Sequence, residues 1–350
     1  MTDAEKKVLN SLVTAAIGDA MGAVTETRNT QHIKDRFGGL VAEILDPPCD
    51  NLAHDTPRGH VTDDFSIAYF SAEDFLAADS RPTKELSEKA LIRWYDYGDY
   101  NRYIGPSTEG AICALKGIPN PRTKRDPLAH IKARLLCENG RATNGGGMKA
   151  GLIGILNPGN VERAIEEAII FCMPTHDNTI GISAGCAIAA ATARAMAPGA
   201  TYEDALEAGL YGARVGFERA KGFARPVAGC NIEKKSRLAI RLGAENKHDF
   251  EKAMNEISQV IGTGLYAYEA IPAVFGCIAA CEGRLKDSVI MAVNAGDDTD
   301  TVACMVGYIV GALSLSETFP EEYIDLIDQA NGFDLRGMAA KISAFNSKEA

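Results

Sequence analysis

Two runs of oxygen-bearing side chains lie more than two hundred residues apart in this chain. The first is Thr62-Asp63-Asp64, directly before an apolar stretch that opens at Phe65. The second is Asn294-Ala295-Gly296-Asp297-Asp298-Thr299-Asp300-Thr301, again followed by an apolar stretch. Thr and Asp are favoured helix caps, and negative charge suits the positive end of a helix dipole, so either run alone reads as a helix start. A cap does not need adjacent carboxylates, which repel one another. Three carboxylates and two hydroxyls between Asp297 and Thr301 exceed what capping requires. Such oxygens are hard ligands suited to Mg²⁺, Mn²⁺ or Ca²⁺, and the lack of paired Cys and His argues against zinc. Should the two helix starts meet, they can share two divalent cations, which in such sites sit about 3.5–4 Å apart and orient a substrate and a water together.

Other segments carry weaker signals. Gly18-Asp19-Ala20-Met21-Gly22-Ala23-Val24-Thr25-Glu26 closes the first helix. There Gly22 reads as a helix stop and Glu26 either as a solvated loop residue or as a carboxylate beside the chemistry. The turn at Thr143–Gly147 either presents backbone N–H groups to a phosphate or is simply tight. His54 and His60 read as loop residues near a pocket mouth, and His176 as a structural hydrogen-bonding group. Lys234, Lys235, Arg237 and Arg241 read as a solvated face that could also border an anionic substrate.

The elements that must position these groups are helices. Apolar residues recur at helical spacing over Glu5–Met21, Phe65–Ala78, Thr83–Tyr97, Thr108–Lys116, Pro127–Cys137, Val161–Phe171, Thr179–Met196 and Tyr202–Glu218. The same period continues over Asp249–Val260, Ala267–Glu282, Arg284–Asn294, Thr299–Leu315, Glu321–Asn331 and Leu335–Phe345. Alternating strand patterns are nearly absent, so the expected class is all-α. Gly181/Gly185 and Gly307/Gly311 stand four apart, a spacing that lets buried helices approach closely. Gly38–Gly59 and Gly222–Lys247 read as long irregular connections. No linker or internal repeat divides residues 1–350, which are expected to form a single domain.

A net charge of −11 argues against nucleic acid or an anionic membrane as partner. The nine Cys are scattered, without C-x-x-C pairs, and Cys277 and Cys281 read as core filling, which fits a reducing cytoplasm. No secretory signal opens the chain, and the longest mostly apolar run, Val302–Leu315, is too short to span a bilayer. The expectation is a soluble cytoplasmic protein, a monomer or small homo-oligomer.

Taken in order, these motifs resemble the ADP-ribosylglycohydrolase family. The family's G-D-x-x-G-x-x-x-E is matched by Gly18, Asp19, Gly22 and Glu26, its T-D-D by Thr62, Asp63 and Asp64, and its D-T-D-T by Asp298, Thr299, Asp300 and Thr301. Between them, Asn144-Gly145-Gly146-Gly147-Met148-Lys149 resembles an N-G loop, Thr175-His176 a T-H pair, and Tyr266, Glu269, Pro272 and Ala273 a Y-x-x-E-x-x-P-A segment. The chain departs from the pattern at Phe65, Asp297 and Lys149. The resemblance implies an orthogonal α-helical bundle with a dinuclear centre, Mg²⁺ first and Mn²⁺ as the alternative. Its ligands would be Thr62, Asp63, Asp64, Asp298, Asp300 and Thr301. It also implies catalysis by Glu26 with Asp63 and Asp298, and substrate contacts from Asn144, Gly145, Gly146, Gly147, Met148 and His176. The expected reaction is hydrolysis at the anomeric carbon of a ribosyl group, releasing ADP-ribose from a protein side chain or small acceptor. An N-ribosidase acting on nucleosides and a non-catalytic ADP-ribose-binding protein are the alternatives.

Overall fold

The computed structural model describes residues 1–122 and 141–349, so the expected helix Pro127–Cys137 lies outside the described residues. The N-terminal half carries α1 (Asp3–Thr25), α2 (Thr30–Phe37), α3 (Asp63–Ala77), α4 (Lys84–Tyr97), α5 (Pro106–Lys116), α6 (Gly145–Met148) and α7 (Gly151–Leu156). Next come α8 (Val161–Cys172), α9 (Thr179–Ala195), α10 (Tyr202–Ala220), α11 (Ile232–Glu245) and α12 (Phe250–Glu256), the last running into a π-turn at Ile257–Ile261. The chain then builds α13 (Ala267–Ala280), α14 (Leu285–Asn294), α15 (Thr299–Leu313), α16 (Glu322–Asn331) and α17 (Leu335–Glu349). Among the described residues no β-strand forms, only isolated pairings of Thr143 with Tyr266 and of Asn178 with Arg225. The chain is all-α.

Local sequence starts these helices. Thr2 and Glu5 form a reciprocal capping box at the head of α1, and Thr201 with Asp204 does the same for α10. From Ser11 onward α1 is buried on every side. Its length and composition would let it cross a membrane, yet 89% of that window is buried inside the protein. What surrounds it is chiefly α15, which runs antiparallel against it. A Cβ at Gly18 or Gly22 would come under 3.0 Å from the backbone of Ala303 or Asp300, and one at Gly307 or Gly311 equally close to that of Thr14 or Asn10. Glycine on both helices therefore lets the two backbones touch. The consequence is positional: the C-terminus of α1, ending at Glu26, lies against the N-terminus of α15, which begins beside Asp298.

A second close-packed layer surrounds α9, whose helical residues are buried except for Arg194. Gly212 and Gly216 of α10 press on Cys186 and Ala190 of α9. In α3, Ser66 accepts the indole N–H of Trp94 on α4 at 2.8 Å, which holds the start of α3 against the bundle.

Three segments depart from expectation. Gly222–Lys247 is not irregular throughout, because Ile232–Glu245 is helical. Its buried residues, Ile232, Ser236, Ala239 and Gly243, keep helical spacing but are mostly small. Gly243 sits directly against the backbone of Gly276 in α13. The short α2 is fixed by its ends, Asn29 accepting from the His32 N–H at 2.9 Å and Gly38 closing the helix at φ 75°. The Gly-rich Asn144–Lys149 loop, expected to hold a turn at Thr143–Gly147, contains the short helix α6 instead, and α7 follows it. Gly38–Gly59 is irregular, as expected.

Candidate metal centre and active site

A cleft of roughly 220 Å³ opens where the end of α1, the starts of α3 and α15, and the Thr143–Gly145 turn converge. Its acidic wall is built from Glu26, Asp63, Asp64, Asp297, Asp298 and Asp300, with Thr301 beside them. One carboxylate oxygen from each of Glu26, Asp298 and Asp300 lies within 4.8 Å of the others, a spacing that could hold a metal ion.

The start of α3 is clamped from behind by Asp19. Its buried carboxylate accepts the Thr62 N–H at 2.8 Å and the Phe65 N–H at 2.9 Å. Thr62 caps the helix, its hydroxyl oxygen accepting the Asp64 N–H at 3.3 Å while its O–H donates to Asp64 Oδ2 at 2.9 Å. Asp63 and Asp64 are thereby set side by side in the cleft wall, both buried. The other carboxylate oxygen of Asp64, Oδ1, is buried without any hydrogen-bond partner. A buried carboxylate oxygen left unpaired is costly, and a cation satisfies it.

The start of α15 is held by two strained corners. Thr27 and Asp297 adopt left-handed backbone conformations, φ 66° and 63°. They belong to loops joined through the Thr27 N–H to Asp297 C=O and the Asp297 N–H to Arg28 C=O, each at 2.8 Å. Strain of this kind persists only where surrounding structure enforces it. Asp298 is steadied from the other side, its Oδ2 accepting from Asn144 Nδ2 at 2.7 Å. Thr25 and Thr299 lock α1 to α15 just beneath, the Thr299 hydroxyl donating to the Gly22 carbonyl at 2.9 Å.

Electrostatics follow from this crowding. Burial, then the charges of Asp298, Asp19 and Asp297, push the Glu26 carboxyl up to about 8, against the pull of Arg28. Burial and neighbouring carboxylates drive Asp63, Asp64 and Asp300 well above the usual carboxylate range. Burial likewise raises Asp19 to about 7, although its two backbone hydrogen bonds oppose the shift. Without a cation this wall resists ionisation, and the all-oxygen donor set suits a hard divalent ion.

The rest of the lining carries hydroxyls and amides, Ser107, Thr108, Thr143, Asn144, Gly145 and His176, together with Tyr103, Leu52 and Leu265. The Thr143–Gly145 turn is fixed by the Asn144 N–H donating to Leu265 C=O and the Ala267 N–H donating to Ala142 C=O, both at 2.9 Å.

Most of the residues singled out in the sequence meet here. Glu26, Asp63, Asp64, Asp298, Asp300, Thr301, Asn144, Gly145, Met148 and His176 all line the cleft, and Thr62 stands directly behind it. Gly146 and Gly147 do not reach the cleft. A Cβ on Gly146 would lie 2.6 Å from the Gly181 carbonyl, and one on Gly147 2.6 Å from Ile271, so both serve close helix packing. His54 and His60 stay off the lining as well; His60 stacks on Tyr100 with centroids 5.1 Å apart. Of the basic stretch, Arg237 pairs with Glu233 at the surface, whereas Lys235 lies over Tyr268 and near the carboxylate of Glu269, which neighbours Asp297 at the edge of the cleft without lining it. Sequence reading passed over Asp19 as a positioning group, although it stands inside the G-D-x-x-G motif. Ser107, Thr108 and Tyr103 carried no sequence signal at all.

The chain is thus an all-α bundle that converges carboxylates from distant helix ends on one cleft able to hold a divalent cation. The sequence pattern of the ADP-ribosylglycohydrolases matches residues 1–349, and the chain belongs to that family. It is accordingly a glycosidase, in a family that hydrolyses glycosidic bonds to ADP-ribose. Among relatives, the Escherichia coli (strain K12) protein YegU is 24% identical over 348 residues, 98% of each chain. The Mus musculus ADP-ribosylhydrolase ARH3 is 25% identical, covering 89% of this chain and 85% of its own. The Serratia proteamaculans (strain 568) ADP-ribosylarginine hydrolase Tri1 is 24% identical, covering 92% of this chain and 75% of its own. A solved structure described as an ADP-ribosylglycohydrolase-related protein complex shares the fold, with a TM-score of 0.64 at 21% identity, over 99% of this chain and 100% of that one.

Proposed function

We propose that the protein uses a divalent metal centre to hydrolyse the bond between the anomeric carbon of an ADP-ribosyl group and its acceptor, a protein side chain or a small molecule. The observation that carries this reading is the convergence of Glu26, Asp298 and Asp300 within 4.8 Å, beside an Asp64 oxygen that is buried and unpartnered. Thr62, Asp63, Asp64, Asp298, Asp300 and Thr301 would hold two cations, Mg²⁺ first and Mn²⁺ second. When bound, the cations supply Lewis acidity and neutralise the carboxylate wall. Asn144 keeps Asp298 turned toward the cleft. Glu26 lines the cleft beside Asp298 and Asp300, where it is placed to protonate the leaving group or, in its ionised form, to take a proton from water, a role worth roughly 10²–10⁴ in rate. The hydroxyl and amide wall faces the rest of the substrate.

The second reading, a nucleoside N-ribosidase, draws on a different observation: no Lys or Arg appears among the described residues lining the cleft. A neutral nucleoside would need none. One assay separates the two. Release of free ADP-ribose and of free ribose is followed from ADP-ribosyl-arginine, ADP-ribosyl-serine peptide, O-acetyl-ADP-ribose and nucleosides, each with Mg²⁺, Mn²⁺ or EDTA. Metal-dependent release of ADP-ribose is expected. Ribose from nucleosides alone would transfer the protein to the second reading, and silence across the panel with cation bound would leave it a non-catalytic binder.

A further inference from the structure

Behind the hydroxyl wall, Lys149 is fully buried although it does not line the cleft. Its ammonium lies 4.7 Å from the Phe171 ring and donates one hydrogen bond, to the Thr175 hydroxyl at 2.9 Å. From there a continuous chain runs outward. Thr175 Oγ1 lies 2.9 Å from His176 Nδ1, His176 Nε2 lies 2.9 Å from Thr143 Oγ1, and Thr143 Oγ1 donates to Ser107 Oγ at 3.3 Å. The last three residues line the cleft.

The direction of every hydrogen in this chain follows from its buried end. An ammonium only donates, so the Thr175 oxygen accepts from Lys149; the Thr175 O–H has no other acceptor among the described residues and is satisfied by donating to His176 Nδ1. His176 then carries its proton on Nε2 and donates to Thr143. Thr143 in turn donates to Ser107, whose own O–H is left to point into the cleft. The ring is neutral, because burial and the Lys149 charge press the His176 pKa down to about 3. Lys149 itself, pushed down to about 8 by burial, keeps its proton at neutral pH. Gly145 fixes the ring from the cleft side, since a Cβ there would stand 2.6 Å from His176 Cε1.

We propose that Lys149 is a positioning residue: acting through Thr175, His176 and Thr143, it makes the Ser107 hydroxyl a hydrogen-bond donor to an anionic oxygen of the substrate. The relay gives a cleft whose described lining has no cationic side chain a directed hydrogen-bond donor. This inference rests on the ADP-ribosyl reading, in which the substrate carries phosphoryl oxygens.

The test uses the full-length protein loaded with Mg²⁺. Nitrogen-15 NMR of the imidazole should show His176 protonated on Nε2 and bare on Nδ1; the opposite tautomer overturns the relay without need of any variant. Calorimetric titration should show Lys149→Met and Thr175→Val each weakening ADP-ribose about tenfold, near one hydrogen bond's ~1.4 kcal/mol. The double variant should be no weaker than either single one, and Thr175→Ser should restore affinity. Ribose, which lacks the phosphoryl oxygens, should bind all variants as it binds the wild type. Unchanged ADP-ribose affinity in a Thr175→Val protein with a native melting profile overturns the proposal. Wild-type protein that binds no ADP-ribose overturns the substrate reading instead, and the tautomer then decides the relay alone.

Discussion

Stripping divalent cations should make this protein less stable as pH rises, the reverse of ordinary acid denaturation. Glu26 has its folded-state pKa raised from 4.5 to about 8. A carboxyl raised on folding binds more protons in the native than in the unfolded state wherever pH lies between those values, so stability falls with pH there. Its contribution is fully present below 4.5 and is lost as pH climbs through about 8. The shift corresponds to about 5 kcal/mol at ~1.4 kcal/mol per pH unit, and water in the open cleft screens this to the order of 2 kcal/mol. Asp63, Asp64 and Asp300 are shifted the same way and add to the slope. For a chain of this size the melting midpoint should drop on the order of 5 °C between pH 5 and pH 8.5, those limits chosen to bracket the window. The assay is a melting series by circular dichroism in EDTA, repeated with excess Mg²⁺. Mg²⁺ should flatten the slope and raise the midpoint most at the alkaline end, and Glu26→Gln should make it shallower without metal, leaving the share of Asp63, Asp64 and Asp300. A metal-free midpoint that is level or rises across the window would refute the claim that these carboxylates repel one another in the native cleft.

Other perturbations test the frame around the cleft. Glu26→Gln, assayed at saturating Mg²⁺, should lower turnover by roughly 10²-fold or more; because Glu26 shares the metal-ready cluster, it should also weaken Mg²⁺ binding, read by calorimetry. Gly22→Ala places a methyl under 3.0 Å from the Asp300 backbone; stability should fall by about 3 kcal/mol in urea titration, with loss of Mg²⁺ stabilisation. Asp19→Asn turns an N–H₂ toward the Thr62 or Phe65 N–H and should lose about 1–3 kcal/mol, while lowering Mg²⁺ affinity through the displaced start of α3.

Much of this arrangement was legible in the sequence because it is written in local chemistry. Thr62-Asp63-Asp64 and Asp298-Thr299-Asp300-Thr301 announce themselves by carrying more carboxylates than capping can use, and both do open helices. Gly307 and Gly311 signal close approach by their spacing; their partners Gly18 and Gly22 do not, since Gly22 reads locally as a helix stop. In fact α1 runs on to Thr25, because a glycine facing another backbone is favoured by packing that no local window contains. The same blindness hid α11, whose buried face of Ser236, Ala239 and Gly243 has little hydrophobicity to count. Gly146 and Gly147, which the resemblance places against the substrate, stand off the lining beside Gly181 and Ile271, a long-range packing that the glycine run does not signal. Lys149 and Thr175 lie twenty-six residues apart, and nothing in either segment foretells their hydrogen bond.

The antiparallel seam between α1 and α15 also sets a schedule. During synthesis the first helix leaves the ribosome early, yet the surface that Gly18 and Gly22 are shaped to meet is encoded almost three hundred residues later. Until Thr299–Leu313 emerges, α1 has no partner for its bare backbone stripe and the carboxylates of the second run do not exist. A nascent chain therefore cannot assemble the cleft piecemeal, and closing so long a loop makes its completion a late event in folding. The acidic cleft is complete only once Thr299–Leu313 has been made, so translation products that stop short of it lack half of the cleft.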